Sequence, residues 1–135
     1  MSSEGLRKIL RSKIHRATVT HADLNYEGSI TIPPELMNAA GILEYEAVHV
    51  WNVTNGSRLE TYAMTGVSGS EDIAINGAAA HLSKPGDIVI IACFNFLASE
   101  AASDYVPRLV FVDEHNQVKE IRREVPGPRL PKVKG

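Results

Sequence analysis

A chain of 135 residues is long enough to bury one ordinary hydrophobic core and short for two, so one domain is expected. With 14 Lys+Arg against 16 Asp+Glu the net charge is −2, which gives no global electrostatic case for nucleic acid or an anionic membrane, although a local basic patch remains open. The N-terminal stretch "MSSEGLRKILRSKIHRATV" lacks the apolar run of a signal peptide, and no later run approaches the ~20 residues of a membrane helix, so a cytoplasmic protein is expected.

Short runs rich in Val, Ile and Thr, separated by turn signals, dominate the chain and predict an all-β domain with short helices, a small barrel. The first run, Lys13 to His21, places Lys13, His15, Ala17, Val19 and His21 on one face and Ile14, Arg16, Thr18 and Thr20 on the other. Both faces are mixed, which is unusual for a half-buried strand. After "EGSITI", Pro33-Pro34 followed by "ELMNAAG" predicts a short helix, with proline in its first turn and Gly41 as a left-handed stop. "EAVHVWNV" and "SRLETYAM" flank "TNG", and Asn55-Gly56 suits a tight hairpin turn. In the second arm Arg58, Glu60, Tyr62 and Met64 share one face, and Leu59, Thr61 and Ala63 the other.

A short strand "IAI" then runs into "NGAAAHL", where small residues permit a tight strand-to-helix turn that can present backbone N–H groups. Beyond the turn "SKPGD", Ile88 to Phe96 is the longest apolar run and predicts a buried central strand. A helix "ASEAASDYV" and a last hairpin "RLVFVDEHNQVKEI" complete the domain, taken as residues 1–124. Residues 125–135, with three prolines in "EVPGPRLPKVKG", are expected to be mobile. The single cysteine, Cys93, lies in an apolar run with no thiolate-stabilising neighbour and is expected to be a buried, inert thiol.

Several polar residues could carry chemistry, and each also has an ordinary structural reading. Lys13 and Arg58 suit solvated strand positions. Tyr62 and Trp51 suit barrel packing, Thr61 is a normal strand residue, and Ser29 by itself would be a serine at a strand start. His15 and His21 share a strand face but lack carboxylate or Cys companions at ligand spacing, so no metal site is expected. There is no G-x-S-x-G elbow, no G-x-G-x-x-G and no P-loop.

Two resemblances bear on function. The segment "GSITIPPELMNAAGILEYEAVHVWNV" resembles the swapped-hairpin barrels of antitoxins and transition-state regulators, in its order of strand, Pro-initiated helix, Gly stop and strand. Those DNA binders depend on Arg and Lys for phosphate contacts. Here the segment carries Glu35, Glu44 and Glu46 and no Lys or Arg, so it reads as a shared building block with no function attached.

The second resemblance extends from about Leu10 to Val112. "KIHRATVTHADLNYEGSITI", "AAGILEYEAVHVWNVTNGSRLETYA", "INGAAAH" and "PGDIVIIACF", in this order and spacing, resemble the pyruvoyl-dependent aspartate 1-decarboxylases. The resemblance implies a double-psi β-barrel, a homotetramer with active sites between subunits, L-aspartate as substrate, and β-alanine made for pantothenate, the coenzyme A precursor. It also implies a zymogen that cuts itself between Gly28 and Ser29 into residues 1–28 and 29–135. Ser29 would become the pyruvoyl group that forms the Schiff base with substrate, with no PLP and no metal.

By the same resemblance Tyr62 is the proton donor and Thr61 assists processing. Lys13 and Arg58 hold substrate carboxylates, and Asn76, Gly77 and Ala78 form the turn whose amides line the site. His15, Tyr26 and Trp51 fall on pocket positions. Ile30, Pro33 and Pro34 depart from the family's pattern without removing a reacting atom. A maturation helper protein is left open, as is an unprocessed, non-catalytic barrel.

The chemistry requires such a group. Removing CO2 from an amino acid leaves a carbanion that no ordinary side chain can delocalise, and a protein-derived carbonyl supplies the electron sink. Glycine suits the position before the serine because its carbonyl is unhindered.

Overall fold

The computed structural model describes residues 5–125, so the C-terminal tail, apart from Val125, lies outside the described residues. Nine strands and two short helices follow in the order β1 (Leu6–Thr18), β2 (His21–Asp23), β3 (Ser29–Ile32), α1 (Pro34–Ala40), β4 (Ala47–Asn52), β5 (Arg58–Thr65), β6 (Ala74–Asn76), β7 (Ile88–Ala98), α2 (Ser99–Asp104), β8 (Arg108–Val112) and β9 (Val118–Arg122). A 3-10 turn, Gly77–His81, follows β6 directly. The all-β expectation holds.

All nine strands join one sheet in the order β2-β6-β3-β5-β4-β7-β1-β8-β9. Its two ends are tied together. β2, at one edge, is separated from β1, near the other, by only Val19 and Thr20, and these residues bond to both sides. Val19 N–H donates to Asp87 O at 2.9 Å, and Thr20 N–H to Ile73 O at 2.9 Å. A sheet whose edges are joined over so short a link must curl upon itself, which hides most unpaired backbone groups. The enclosed core comes from nearly every strand: Ile14, Ile30, Ile32, Val48, Val50, Ala63, Ile75, Val89, Ile91 and Val110 are all fully buried. Parallel pairs β1/β8, β2/β6 and β3/β5 alternate with antiparallel ones, so crossovers replace the simple meander that consecutive hairpins would make.

Two features of β1 and β7 differ from the simple strand patterns. In β1, Ile14 and Ala17 are both buried, which strict alternation forbids. The register slips between them, and Arg16 takes φ 64°. This bulge transfers the buried face from even to odd positions and accounts for the mixed faces of the sequence. β7 is buried only up to Cys93. Beyond it, Phe94–Ala98 pairs with Leu6–Leu10 alone, past the reach of β4 and β8, and this two-stranded ribbon leaves Phe96 and Leu6 exposed.

The connections follow from local chemistry. β3 is ended by Pro33 and Pro34, which have no N–H to continue a ladder. Pro34 opens α1, and Gly41 closes it at φ 69°, its N–H donating to Asn38 O and the Ile42 N–H to Met37 O. The β4–β5 hairpin exists, but its loop is longer than a two-residue turn. Gly56 alone of the Asn55-Gly56 pair has positive φ, and Asn52 Oδ1 accepts from the N–H groups of Thr54 and Asn55.

The last hairpin is pinned by Asn116. This residue, 2 % exposed and at φ 59°, accepts from Thr18 N–H and donates to Thr18 O and Glu71 O. One side chain thus joins the β8–β9 turn, the end of β1 and the loop before β6. Asn116→Ala would leave three backbone groups unpaired and is expected to lower stability by about 2–4 kcal/mol, measured as a shift in the urea unfolding midpoint at unchanged slope.

Candidate active site

Ser29 is the first residue of β3, and the chain changes character at that point. Gly28 is exposed and Ser29 is buried, so the peptide bond between them lies where an open loop enters the barrel. β3 pairs with β6 on one side, Ser29 opposite Asn76, and with β5 on the other, Ile30 opposite Ala63. Asn76 Nδ2 donates to Ser29 Oγ at 3.3 Å. A cleft of about 670 Å³ opens on this face, lined by Asn25, Tyr26, Glu27, Ser29, Thr31, Met64, Thr65, Ala74 and Asn76.

The turn after β6 approaches Ser29's neighbour very closely. Gly77 has φ +72°, and a Cβ there would stand 2.6 Å from Gly28 Cα and 2.9 Å from Tyr26 O. Only glycine fits, on both counts. The contact holds the start of the 3-10 turn, where backbone N–H groups lack partners within the turn, against Gly28 and the segment just before it. Ala78, the next residue, is exposed.

Tyr62 and Thr61 lie on β5. Reading the β3/β5 register back from Ile30 opposite Ala63 puts Ser29 level with Tyr62 and Gly28 level with Thr61, on strands about 4.8 Å apart. Tyr62 shares its face with Met64, a wall of the cleft, and its ring lies 6.5 Å from that of Tyr45.

The remaining positions are elsewhere on the chain. Lys13 is on β1, separated from β3 by β7, β4 and β5. Its Nζ binds Glu124 Oε1 at 2.9 Å. Arg58, four residues from Tyr62 on the same strand, stacks its guanidinium 4.7 Å over Trp51, and Trp51 adjoins His49 and Phe94 in an aromatic cluster on the outer face. His15 packs on Phe111 at 5.1 Å. Burial, and then the charges of Lys13 and Arg16, hold its imidazole below the ordinary histidine pKa. Its Nδ1 finds no hydrogen-bond partner among the described residues. Ser29, Asn76 and Tyr26 therefore line one cleft, while Lys13, Arg58, His15 and Trp51 do not reach it within this chain.

Cys93 is fully buried beside Ser12 Oγ at 2.9 Å and Arg11, and burial pushes its thiol pKa up, away from nucleophilic use. Among the described residues no group of three or more His, Cys, Asp or Glu could hold a metal ion, and no helix is long and apolar enough to cross a membrane.

The family model described as aspartate decarboxylase matches residues 6–119. The chain belongs to the aspartate decarboxylase family. Curated relatives named aspartate 1-decarboxylase include one from Legionella pneumophila (strain Lens), 64% identical over 118 residues that cover 87% of this chain and 89% of the relative. Others come from Rhodopirellula baltica, 56% identical over 92% of this chain and 80% of the relative, and from Myxococcus xanthus, 56% identical over 92% and 97%. The family match covers β1 to β8 and both walls of the Ser29 cleft.

The DNA-binding alternative gains no support. α1 carries Glu35 in its first turn and no basic residue in its last, and β3 and β4 flank β5 on opposite sides in one continuous barrel. Thr31 and Met64, both on cleft walls, are site residues beyond those expected from the sequence. The available signal was alternation: Thr31 is two residues from Ser29, and Met64 two from Tyr62, so each shares its partner's face.

Gly77→Ala combines a backbone clash with an unfavourable φ and is expected to cost about 2–5 kcal/mol. Gly69→Ala has φ +80° but nothing within 4 Å of the new Cβ, so it should cost about 1–2 kcal/mol from backbone conformation alone. The difference in unfolding free energy between the two variants measures the close approach to Gly28.

Proposed function

We propose that this chain cleaves itself between Gly28 and Ser29 and then decarboxylates L-aspartate to β-alanine and CO2, the β-alanine serving pantothenate biosynthesis. The observation that carries the proposal is the placement of Ser29: buried at the head of β3, facing a cleft, with an amide N–H of Asn76 on its hydroxyl. The reaction on the chain itself balances as follows. Ser29 Oγ attacks the Gly28 carbonyl carbon, the Gly28–Ser29 C–N bond breaks, and the hydroxyl proton ends on the Ser29 nitrogen. Loss of the Ser29 Cα proton then breaks Cβ–Oγ, and the oxygen departs in the new Gly28 carboxylate. Hydrolysis of the resulting dehydroalanine releases ammonia and leaves the pyruvoyl cap on residue 29.

Thr61, level with Gly28, suits a hydrogen bond to its carbonyl as negative charge develops there. The residues around Ser29 fit a pyruvoyl group: the Asn76 amide, which donates to Ser29 Oγ, and the N–H groups of the turn after β6 would be the donors available to hold it. When present, that group supplies the electron sink for decarboxylation. Tyr62, level with Ser29, returns a proton to the substrate's Cα; a phenol is a weak acid, but here it faces a strongly basic carbon.

Aspartate brings two carboxylates, and pairing the departing one would stabilise the ground state, so at least one of Lys13 and Arg58 holds the retained side-chain carboxylate. Lys13 already holds a carboxylate, that of Glu124, at 2.9 Å. That Lys13, Arg58, His15 and Trp51 lie off the Ser29 cleft supports a homotetramer in which neighbouring copies complete each site. The expected location is the cytoplasm.

Intact mass spectrometry of the purified protein is expected to show two fragments, residues 1–28 and a pyruvoyl-capped 29–135. Ser29→Ala should remain one chain and release no CO2 from L-aspartate. A wild-type chain that stays whole, or a Ser29→Ala variant that decarboxylates, would refute the mechanism.

A further inference from the structure

Asn76 does not serve Ser29 alone. Its Nδ2 donates to Ser29 Oγ at 3.3 Å and to Thr31 Oγ1 at 3.2 Å. A side-chain amide nitrogen carries two N–H groups in a fixed plane, so each oxygen receives one. Ser29 and Thr31 are two residues apart on β3 and face the same cleft, and β6 runs antiparallel beside them with Ser29 opposite Asn76 and Thr31 opposite Ala74. The amide thus bridges two hydroxyls of one strand from its neighbour.

Thr31 is itself held. Its methyl points at Gly66, where an added Cβ would come within 3.1 Å of Thr31 Cγ2. A β-branched side chain has few χ1 choices, and the one that seats the methyl on Gly66 turns Oγ1 towards Asn76. Ser29 has no such lock: its side chain carries only the hydroxyl, and rotation about χ1 carries Oγ away from the Gly28 carbonyl.

We infer that Thr31 is a positioning residue for the self-cleavage: it anchors one N–H of Asn76 so that the other is aimed at Ser29 Oγ. The amide then holds the attacking oxygen on the cleft side of the Gly28–Ser29 peptide, in the conformation from which it attacks the Gly28 carbonyl carbon. Without Thr31 Oγ1 the Asn76 amide turns freely about its terminal bond, and the serine samples its other rotamers. The role belongs to processing, because Oγ leaves with Gly28 when Cβ–Oγ breaks. This rests on the self-cleavage proposed above.

The test compares Thr31→Val, which keeps the shape and removes the hydroxyl, with Thr31→Ser, which keeps the hydroxyl. Freshly purified, uncleaved chains are incubated and the first-order cleavage constant is read by intact mass, with thermal melting as a check on folding. Thr31→Val is expected to cleave roughly tenfold more slowly, the effect of one lost orienting hydrogen bond on a rate. Thr31→Ser keeps the hydroxyl but loses the methyl seated on Gly66, and is expected to slow cleavage by no more than about threefold, a smaller change on the same scale. Thr31→Ala, which cannot overpack, replaces Thr31→Val if that variant does not fold, with the same expectation. Cleavage of the hydroxyl-free variant at the wild-type rate, or equal slowing in it and in Thr31→Ser, overturns the inference while leaving the self-cleavage intact. A wild-type chain that never cleaves removes both.

Discussion

The site depends on one close approach between two backbones. The turn after β6 comes so near to Gly28 that residue 77 has no room for a side chain, and this contact sets the height of β6 against β3. From it follows the pairing of Ser29 with Asn76, the donation of the Asn76 amide to the serine oxygen, and the direction in which the 3-10 turn offers its N–H groups. A methyl group between the two backbones would displace all three together. Such contacts are made by glycine because only glycine combines a left-handed φ with the absence of Cβ.

The barrel around this contact keeps the loop at Gly28 from relaxing away. Ile30 and Ile32 anchor β3 immediately after Ser29, and Ile75 anchors β6 immediately before Asn76, all fully buried. Strands pinned by such side chains cannot slide by one residue without turning buried groups outward. The Gly28–Ser29 peptide is thus exposed on one side and rigidly held on the other, an arrangement that suits the proposed self-cleavage. The bulge at Arg16 has a comparable effect on β1, since it lets Ile14 and Ala17 both enter the core while Lys13 and His15 keep to the other face.

The distribution of charge is equally informative. The Ser29 cleft is lined by neutral groups and Glu27, while Lys13 lies beyond intervening strands and Arg58 lies at the far end of β5, stacked on Trp51. A single chain therefore separates the serine that would become the cofactor from the cations that would bind a dicarboxylic substrate. In the proposed homotetramer a second copy would bring them together, and the exposed Phe96 and Leu6 offer apolar surface on which copies could associate.

Much of this was legible in the residues. The β-rich class followed from short Val, Ile and Thr runs, the helix limits from Pro34 and Gly41, and the family from four blocks in order, which the match over residues 6–119 bears out. The slip at Arg16 was visible only as an oddity, two mixed faces, because a bulge has no fixed residue signature. The exposed half of β7 was misjudged because an apolar run does not say how many neighbours a strand has. Sequence alone determined which groups are present: a Gly-Ser bond, a tyrosine, two cations and a small-residue turn, together with the periodicity that assigns each to a face. Tertiary structure alone decided their company. That Asn76 meets both Ser29 and Thr31, that Gly77 touches Gly28, and that Lys13 lies off the cleft are consequences of strand order. Strand order is settled by how nine short strands close one core, an outcome of long-range packing that no local pattern encodes.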